Sequence, residues 1–395
     1  MPALPSFEFD DKILKQGAEI SRKLDQLRQE KFPPDAKKTL RRFSMAEAAH
    51  YLGVSPNNLK RLHLEGKGPE PEIAAGGRRF YSAEQMIEVR QYLDKNGRSD
   101  AKKYLPFRKG SEKLQVIAVV NFKGGSGKTT TAAHLAQHLA LTGHRVLAVD
   151  LDPQASLSAL HGFQPELDKN PSLYDAIRYD DKKQSIRDVI LPTNFPLLDI
   201  IPANLELQEY EYDTPLAMQE SKEGKRFYVR LASSLRDVDE KYDVVVIDCP
   251  PALGYLTLTA LTAATSVLIT VHPQMLDLMS MSQFLLMLGN ITKTVKNVGA
   301  NVSMDWLRYL ITRYEPTDIP QAQMLGFMHS ILAEEILRNP MLKSTAISDA
   351  GLTKQTLYEV ERSRFNHQTY DRAIEALDAV NFEIQGLIHQ AWGRL

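Results

Sequence analysis

Two lysines lie at the ends of a glycine-rich stretch that could hold phosphate groups. The stretch reads KGGSGKTT from Lys123 to Thr130. Glycines let backbone amides approach phosphate oxygens, the Lys128 ammonium supplies a charge for the β- and γ-phosphates, and the Thr129 hydroxyl can bind Mg²⁺. The pattern fits the phosphate-loop sequence G-x-x-x-x-G-K-[ST] only in altered form. It predicts a nucleotide site made by consecutive residues: Lys123, Gly124, Gly125, Ser126, Gly127, Lys128, Thr129 and Thr130.

The segments on either side of this loop have the character that a phosphate loop requires. The preceding run LQVIAVVNF is short, apolar and rich in valine, which is typical of a buried parallel strand. After the loop, Ala132, Leu135, Ala136 and Leu139 recur at helical spacing. A strand, a glycine loop and a helix therefore follow one another, as a phosphate-binding loop needs.

Two further apolar runs end in carboxylates. HRVLAVDLDPQAS ends a predicted strand with Asp150 and Asp152, and YDVVVIDCPPALG ends another with Asp248. A carboxylate in such a place can serve a nucleotide site, but it can also cap a following helix. Both interpretations remain open for Asp150, whereas the order of the motifs favours the functional one for Asp152 and Asp248.

Strands and helices alternate from about Leu114 to Gly386. ATSVLITVHP and LRYLITRYEP read as two more buried strands. This alternation predicts an α/β fold, a mostly parallel sheet flanked by helices, with its site beyond the carboxyl ends of the strands. Arg313, which follows the last of these strands, could lie over an adenine ring or on the surface.

The loop KGGSGKTT resembles the deviant Walker A motif of the ParA/MinD family of P-loop ATPases. The resemblance implies that Lys128 serves its own nucleotide, whereas Lys123 reaches across a nucleotide-sandwich homodimer to the partner's phosphates. It also implies that Asp152 positions the attacking water and that Asp248 holds the Mg²⁺ shell. ATP and Mg²⁺ are the implied cofactors, with a weak ATPase activity that DNA and a partner protein stimulate.

The front of the chain is basic and its remainder is acidic. Residues 1–115 contain 23 Lys and Arg against 16 Asp and Glu, and the remainder contains 25 against 33. This distribution indicates contact with nucleic acid, although a solvated charged face would have the same composition. Cys249 is the only cysteine, which excludes an intramolecular disulfide, a multi-cysteine zinc site and an intrasubunit iron-sulfur cluster.

The stretch FSMAEAAHYLGVSPNNLKRLHLEGKG predicts two short helices around a glycine turn. Ser44 with Glu47 forms a capping box, and Ser55 precedes Pro56 as an N-cap. Two such helices make a helix-turn-helix, whose second helix, from about Ser55 to Glu65, would enter the major groove of DNA.

A wing follows this motif. Leu59, Leu62 and Leu64 can pack the second helix, and the next residues give a glycine turn, two arginines and a second capping pair, Ser82 with Gln85. Residues 43–93 thus resemble a winged helix-turn-helix of the MerR type, the alternative being an ordinary small helical domain. The candidate DNA contacts are Asn58, Lys60, Arg61, Arg78 and Arg79.

We predict four parts of the chain. Residues 1–35 form a helix with an apolar seam for dimerisation or for packing on its own domain. Residues 36–98 form the winged helix-turn-helix, residues 99–113 a basic linker, and residues 114–395 the ATPase domain. The seam consists of Ile13, Gly17, Ile20, Leu24 and Leu27.

This layout resembles that of the long-form partition ATPases, especially the RepA partition proteins of repABC-type plasmids. The resemblance implies a nucleotide-bound dimer that coats nonspecific DNA and is displaced by a ParB-type centromere-binding partner. It also implies binding to operator DNA that represses the protein's own operon. Candidates for the nonspecific DNA surface are Lys343, Lys354, Arg362 and Arg364, each of which could instead form a surface salt bridge.

Two alternatives remain. A MinD-like membrane-cycling ATPase needs a basic amphipathic helix near the end of the chain, but NFEIQGLIHQAWGRL has one arginine and no lysine. A nucleotide-switched transcription regulator would not need hydrolysis, for which Asp152 is expected. With no apolar run of 18 residues and no leader pattern, we expect a cytoplasmic, nucleoid-associated protein without membrane contact.

Overall fold

The computed structural model describes residues 8–31, 38–96, 104–163, 170–221, 224–300 and 302–394. The chain divides into two compact units, Met1–Thr39 and Leu40–Leu395. The described residues of the first unit form one helix, α1 (Phe9–Lys31), with Asp10 and Asp11 favourably placed in its first turn. Of the predicted seam, Ile13 and Ile20 are exposed within this unit. The side chains of Leu24 and Leu27 lie outside the described residues.

The second unit contains all the other elements. Its strands are β1 (Phe43–Ser44), β2 (Glu72–Ala74), β3 (Arg78–Tyr81), β4 (Gln115–Val120), β5 (Val146–Asp150), β6 (Leu191–Pro192), β7 (Leu198–Ile201), β8 (Val244–Asp248), β9 (Ser266–Val271) and β10 (Trp306–Ile311). Its helices are α2 (Met45–Leu52), α3 (Pro56–Leu64), α4 (Ala83–Asn96), α5 (Lys128–Leu141), α6 (Ser156–Leu160), α7 (Leu173–Ile177), α8 (Glu209–Glu220), α9 (Arg230–Arg236), α10 (Tyr255–Ala263), α11 (Met275–Asn297), α12 (Ile319–Leu332), α13 (Thr345–Leu352) and α14 (His367–Ala391).

A seven-stranded sheet organises this unit in the order β10-β9-β4-β8-β5-β7-β6. All neighbouring pairs are parallel except β6 with β7. Alternate residues of the central strands enter two apolar cores, one on each face, which explains why these strands are apolar along their whole length. The predicted α/β fold is therefore confirmed.

The helix-turn-helix has the predicted caps. The Ser44 hydroxyl accepts from the Glu47 amide while the Glu47 carboxylate accepts from the Ser44 amide, and the Ser55 hydroxyl accepts from the Asn58 amide. Strands β2 and β3 form the wing, and β1 pairs with the other side of β3. Ser82 and Gln85 cap α4 reciprocally as well.

One packing prediction for α3 is wrong. Leu59 and Leu62 are buried, but Leu64 is 66% exposed. Leu64 is the last residue of α3 and lies two positions from Leu62, so the helical rotation turns its side chain away from the buried face.

The helix-turn-helix and the sheet share one core. Phe43, Leu59 and Met86 belong to the same apolar cluster as Leu139 of α5 and Leu377 of α14. Part of the predicted linker also packs against the ATPase body, because the Arg108 backbone amide donates to Asp243 over 2.8 Å and its side chain donates to the Tyr242 carbonyl. The side chain of Arg108 is thereby held by protein groups.

The end of the chain belongs to the same core. Ile384 and Ile388 of α14 are completely buried, as expected for packing and unlike an interfacial membrane helix. Among the described residues, no helix has both the length and the apolar character needed to cross a membrane.

Candidate nucleotide site and DNA-binding module

A cleft of about 580 Å³ opens at the carboxyl ends of the central strands. The glycine loop lines one side, and Asp152, Pro251 and Arg313 line others. Residues 341–344 and the first part of α13 complete the wall. The structure thus brings the loop and Asp152 together where the sheet topology predicts a ligand.

The backbone of the loop is shaped by two glycines in the left-handed region. Gly125 has φ 74° and Gly127 has φ 85°. A Cβ atom on Gly127 would also lie 3.4 Å from the Thr312 side chain. Since α5 begins at the next residue, Lys128, the first amides of this helix face the cleft, where an anion is favoured.

Polar side chains at the ends of two neighbouring strands hold the loop. The Thr270 hydroxyl donates to the Ser126 hydroxyl over 3.1 Å, and the Thr312 hydroxyl donates to the Ser126 carbonyl over 2.8 Å. Asn121 donates to the Thr270 carbonyl and accepts from the Lys123 amide. Sequence reasoning missed these residues, although a polar residue that closes an apolar strand is a detectable signal.

Lys128 is almost completely buried in the loop. Its ammonium donates to the Lys123 carbonyl over 3.2 Å. Burial lowers the pKa of Lys128, and the nearby carboxylates Asp248 and Asp152 partly oppose that shift. A buried ammonium held by one neutral carbonyl is suited to bind an anionic ligand.

Asp248 is a buried carboxylate near the Thr129 hydroxyl and the Lys128 ammonium. It is completely buried, and neither side-chain oxygen has a hydrogen bond in acceptable geometry. Burial and the neighbouring Asp150 raise the pKa of Asp248, while the Thr129 hydroxyl and the Lys128 ammonium act in the opposite direction. Unsatisfied carboxylate oxygens beside a threonine hydroxyl fit a Mg²⁺ ion, which Thr129 and Asp248 would hold together with phosphate oxygens.

The two other candidate carboxylates differ in their surroundings. Asp150 lies opposite Asp248 in the register of β5 and β8, and it accepts from the Ser158 amide and hydroxyl over 2.8 and 2.7 Å. It therefore ties β5 to α6. Asp152 is only half-buried, accepts from the Gln154 amide, and lines the cleft, where a water could be positioned.

Lys123 points away from its own phosphate loop. Its ammonium lies 2.6 Å from a carboxylate oxygen of Asp277, in the first turn of α11. Asp277 is only 8% exposed. The two lysines of the loop are thus held by different groups.

Arg313 lies against the phosphate loop. It has φ 54°, and its guanidinium donates to the Gly125 carbonyl over 3.2 Å. Cys249, next to Asp248, is buried, and burial raises the pKa of its thiol, as expected for a structural cysteine.

The predicted DNA contacts of the helix-turn-helix are accessible to different degrees. Lys60 and Arg61 are exposed on α3, where the Arg61 guanidinium donates to the Asn58 side chain over 3.0 Å. Arg78 is exposed and Arg79 is half-buried, because consecutive residues of β3 point to opposite faces. Helix α3 therefore presents at least two cations to solvent.

The four late basic residues that are candidates for nonspecific DNA binding differ in their surroundings. Lys343 lines the nucleotide cleft and lies 2.7 Å from Glu315, and Arg362 makes two bonds of 2.6 Å to Asp371. Arg364 is exposed and Lys354 is half-buried.

Comparison with known proteins gives consistent results. The family model described as an AAA domain matches residues 114–300. A protein of Sinorhizobium fredii named "Putative replication protein A" is 67% identical over 395 residues, which is 100% of this chain and 97% of that protein. Protein SopA of Escherichia coli strain K12 is 30% identical over 332 residues, 82% of both chains.

Solved structures share the fold. A structure described as "Partition Protein" has a TM-score of 0.59 at 17% identity and covers 95% of this chain and 98% of its own. Cobyrinic acid a,c-diamide synthase from Mycobacterium smegmatis, with bound ATP analog and magnesium, has a TM-score of 0.51 at 28% identity and covers 60% and 94%. The full-length match to the first relative, the altered phosphate loop and the strand-end carboxylates lead to one conclusion: the chain belongs to the ParA family of partition ATPases.

Proposed function

We propose that this protein segregates a plasmid replicon by an ATP-driven cycle on DNA and represses its own operon through the winged helix-turn-helix. One observation carries the proposal: an ATPase cleft and a helix-turn-helix with an exposed basic face occur in one unit with a common core. An ATPase alone would not need the helix-turn-helix, and a simple repressor would not need the ATPase cleft.

The cycle requires a homodimer closed on ATP and Mg²⁺. Lys128, Thr129 and Asp248 would bind the nucleotide and the metal ion, and Asp152 would orient the attacking water. Lys123 is available for the partner's phosphates, since its side chain is 43% exposed and its ammonium binds Asp277. A positive charge supplied in trans would stabilise the charge that develops in phosphoryl transfer.

Nonspecific DNA binding would depend on the dimer. Arg364 and Lys354 are candidates for contacts with DNA phosphates, whereas Lys343 and Arg362 would first have to leave Glu315 and Asp371. A ParB-type partner bound at a centromere would displace the dimer by stimulating hydrolysis. The result is a protein associated with the nucleoid.

Binding of the chain to a non-operator DNA duplex tests the partition activity. It is measured with ATP, with ADP and without nucleotide, each over a salt series. We expect retention that requires ATP and falls steeply with salt, because several phosphates are neutralised. The Lys128→Ala chain should lose the ATP dependence. Equal binding in all three nucleotide states would contradict partition.

Binding to the DNA upstream of the protein's own coding sequence tests the repressor activity. A chain with Lys60→Ala and Arg61→Ala should bind this DNA at least about tenfold more weakly, because two phosphate or base contacts are lost. Its basal ATPase should be unchanged. Lys95→Ala, an exposed lysine at the end of α4, is the matched control. Equal operator affinity of the double variant would exclude α3 as the recognition helix.

A further inference from the structure

We propose that Asp277 retains the Lys123 ammonium in the resting chain and competes for it with the nucleotide of the partner subunit. The proposal rests on the proposed function, because it concerns the lysine that the ATP-bound dimer uses in trans. It assigns to Asp277 the role of a positioning residue that acts through Lys123.

The geometry of the pair is that of a strong, directional contact. The Lys123 ammonium and the Asp277 carboxylate are 2.6 Å apart, which is the distance of a charge-assisted hydrogen bond. The Asp277 side chain is only 8% exposed, whereas the Lys123 side chain is 43% exposed. The carboxylate is therefore the fixed partner and the ammonium is the one that can leave.

The structure also fixes both backbones of the pair. The Lys123 amide donates to Asn121, and Phe122 stacks on Phe284 of α11 with ring centroids 5.4 Å apart. Asp277 lies in the first turn of α11, where the helix dipole favours a negative charge. Because α11 and the loop are held together, the Lys123 side chain can bind or release Asp277 while both backbones keep their positions.

The competition follows from charge. The Lys123 ammonium has three donors but one positive charge, so a charge shared with the phosphates of a second subunit no longer fully neutralises the Asp277 carboxylate. When Lys123 leaves, the Asp277 carboxylate remains in a largely buried place without its cation, which is unfavourable. The free energy of binding the partner's nucleotide must therefore exceed the cost of breaking the Lys123–Asp277 pair before the dimer closes. At low ATP concentration the pair opposes closure.

The Asp277→Asn variant tests this competition, since it keeps the side-chain shape and removes the charge. Dimerisation is followed by sedimentation velocity over a titration with Mg²⁺ and a nonhydrolysable ATP analogue. We expect half-maximal dimerisation at about fivefold lower analogue concentration, the factor for losing one partly exposed charged hydrogen bond. Asp277→Ser should shift this midpoint in the same direction. This second variant keeps the test valid if Asp277→Asn folds poorly.

Asp371→Asn is the matched control, because Asp371 also pairs with a cation, Arg362, but neither residue lines the cleft or contacts Lys123. Its dimerisation midpoint should equal that of the wild type. A purely structural role of Asp277 would weaken dimerisation in its variants instead of strengthening it. An unchanged or higher midpoint for Asp277→Asn overturns the proposal, whereas a wild-type chain that never dimerises with nucleotide overturns the proposed function and this inference with it.

Discussion

Two carboxylates of the second unit have opposite surroundings. Asp248, completely buried behind the phosphate loop, accepts no hydrogen bond in good geometry from the described residues, and burial raises its pKa. Asp378, on α14, lies under the winged helix-turn-helix and accepts from the Tyr358 hydroxyl over 2.8 Å, with His50 and His138 within 3.5 Å. Burial alone would raise the pKa of Asp378, but the hydrogen bonds from these partners lower it by more. The pKa of Asp378 therefore lies far below its ordinary value. A carboxylate with several hydrogen-bond donors belongs to the architecture, whereas a buried carboxylate without them is suited to hold a cation.

The cations of the two regions show the same difference. Lys128 in the cleft has one carbonyl partner, whereas the buried Arg90 of α4 donates to the carbonyls of Tyr51, Tyr104 and Leu141. Burial lowers the pKa of Arg90 to about 9. Leu141 is the last residue of α5, so the guanidinium also meets the negative end of this helix dipole. One helix thus has its N-terminal end in the cleft and its C-terminal end bound to Arg90 of α4.

The largest expected effect comes from Asp248→Asn. We expect a loss of ATP turnover of about a thousandfold, because the Mg²⁺ shell loses its charged ligand. The free energy of unfolding of the ligand-free chain should not fall, since the variant replaces a buried, unpartnered carboxylate with a neutral group. Turnover is measured by phosphate release and stability by urea unfolding. A destabilised apo chain would contradict the contrast with Asp378.

Asp152→Ala should give the next largest effect. Turnover should decrease by about a hundredfold while ATP binding and ATP-dependent dimerisation remain, because only the orientation of the attacking water is lost. Bound ATP after a long incubation, separated by filtration and quantified, reports this. Asp349→Ala, an exposed carboxylate of α13, should hydrolyse at the wild-type rate. Normal hydrolysis by the Asp152 variant would remove this residue from the mechanism.

Asp378→Asn should affect stability instead of chemistry. We expect the free energy of unfolding to fall by about 2 kcal/mol, because histidine and tyrosine groups lose a charged acceptor. Basal ATPase of the folded chain should remain within about twofold, since Asp378 does not line the cleft. Asp371→Asn removes a solvent-exposed pair with Arg362 and should change stability little. If the Asp378 and Asp371 variants were equally stable, the structural role of Asp378 would be contradicted.

The smallest effect concerns pH. The Asp378 carboxylate raises the pKa of His50 above its ordinary value of 6.5, so protonated His50 stabilises the fold below that pH. This contribution is lost as the pH rises through the higher folded-state pKa. Between about pH 6 and pH 8 the wild type should therefore lose about 0.3 kcal/mol more stability than His50→Gln, a value reduced by the exposure of the imidazole. Parallel pH profiles would show that His50 does not act through Asp378.

The sequence predicted what local patterns encode. The strand, glycine loop and helix around Lys128 and the caps at Ser44 and Ser55 are set by residues within a few positions of one another. The partner of Lys123 could not be predicted, because Asp277 lies 154 positions away and only the sheet topology brings it close. The role of Arg90 could not be predicted either. In the sequence Arg90 is one more charge of a basic segment, whereas in the structure it is buried and donates to the Leu141 carbonyl.

The common core limits how the helix-turn-helix module can be separated from the rest. A fragment that ends near residue 96 would expose the apolar face around Leu59 and Met86 that now continues into the ATPase body, and its Arg90 would lose the Leu141 carbonyl. Such a fragment would tend to aggregate, and grafting the module onto another ATPase would require a matching helix end. Substitutions at this junction therefore have to suit both parts, whereas substitutions on the exposed face of α3 or in the cleft affect one part alone.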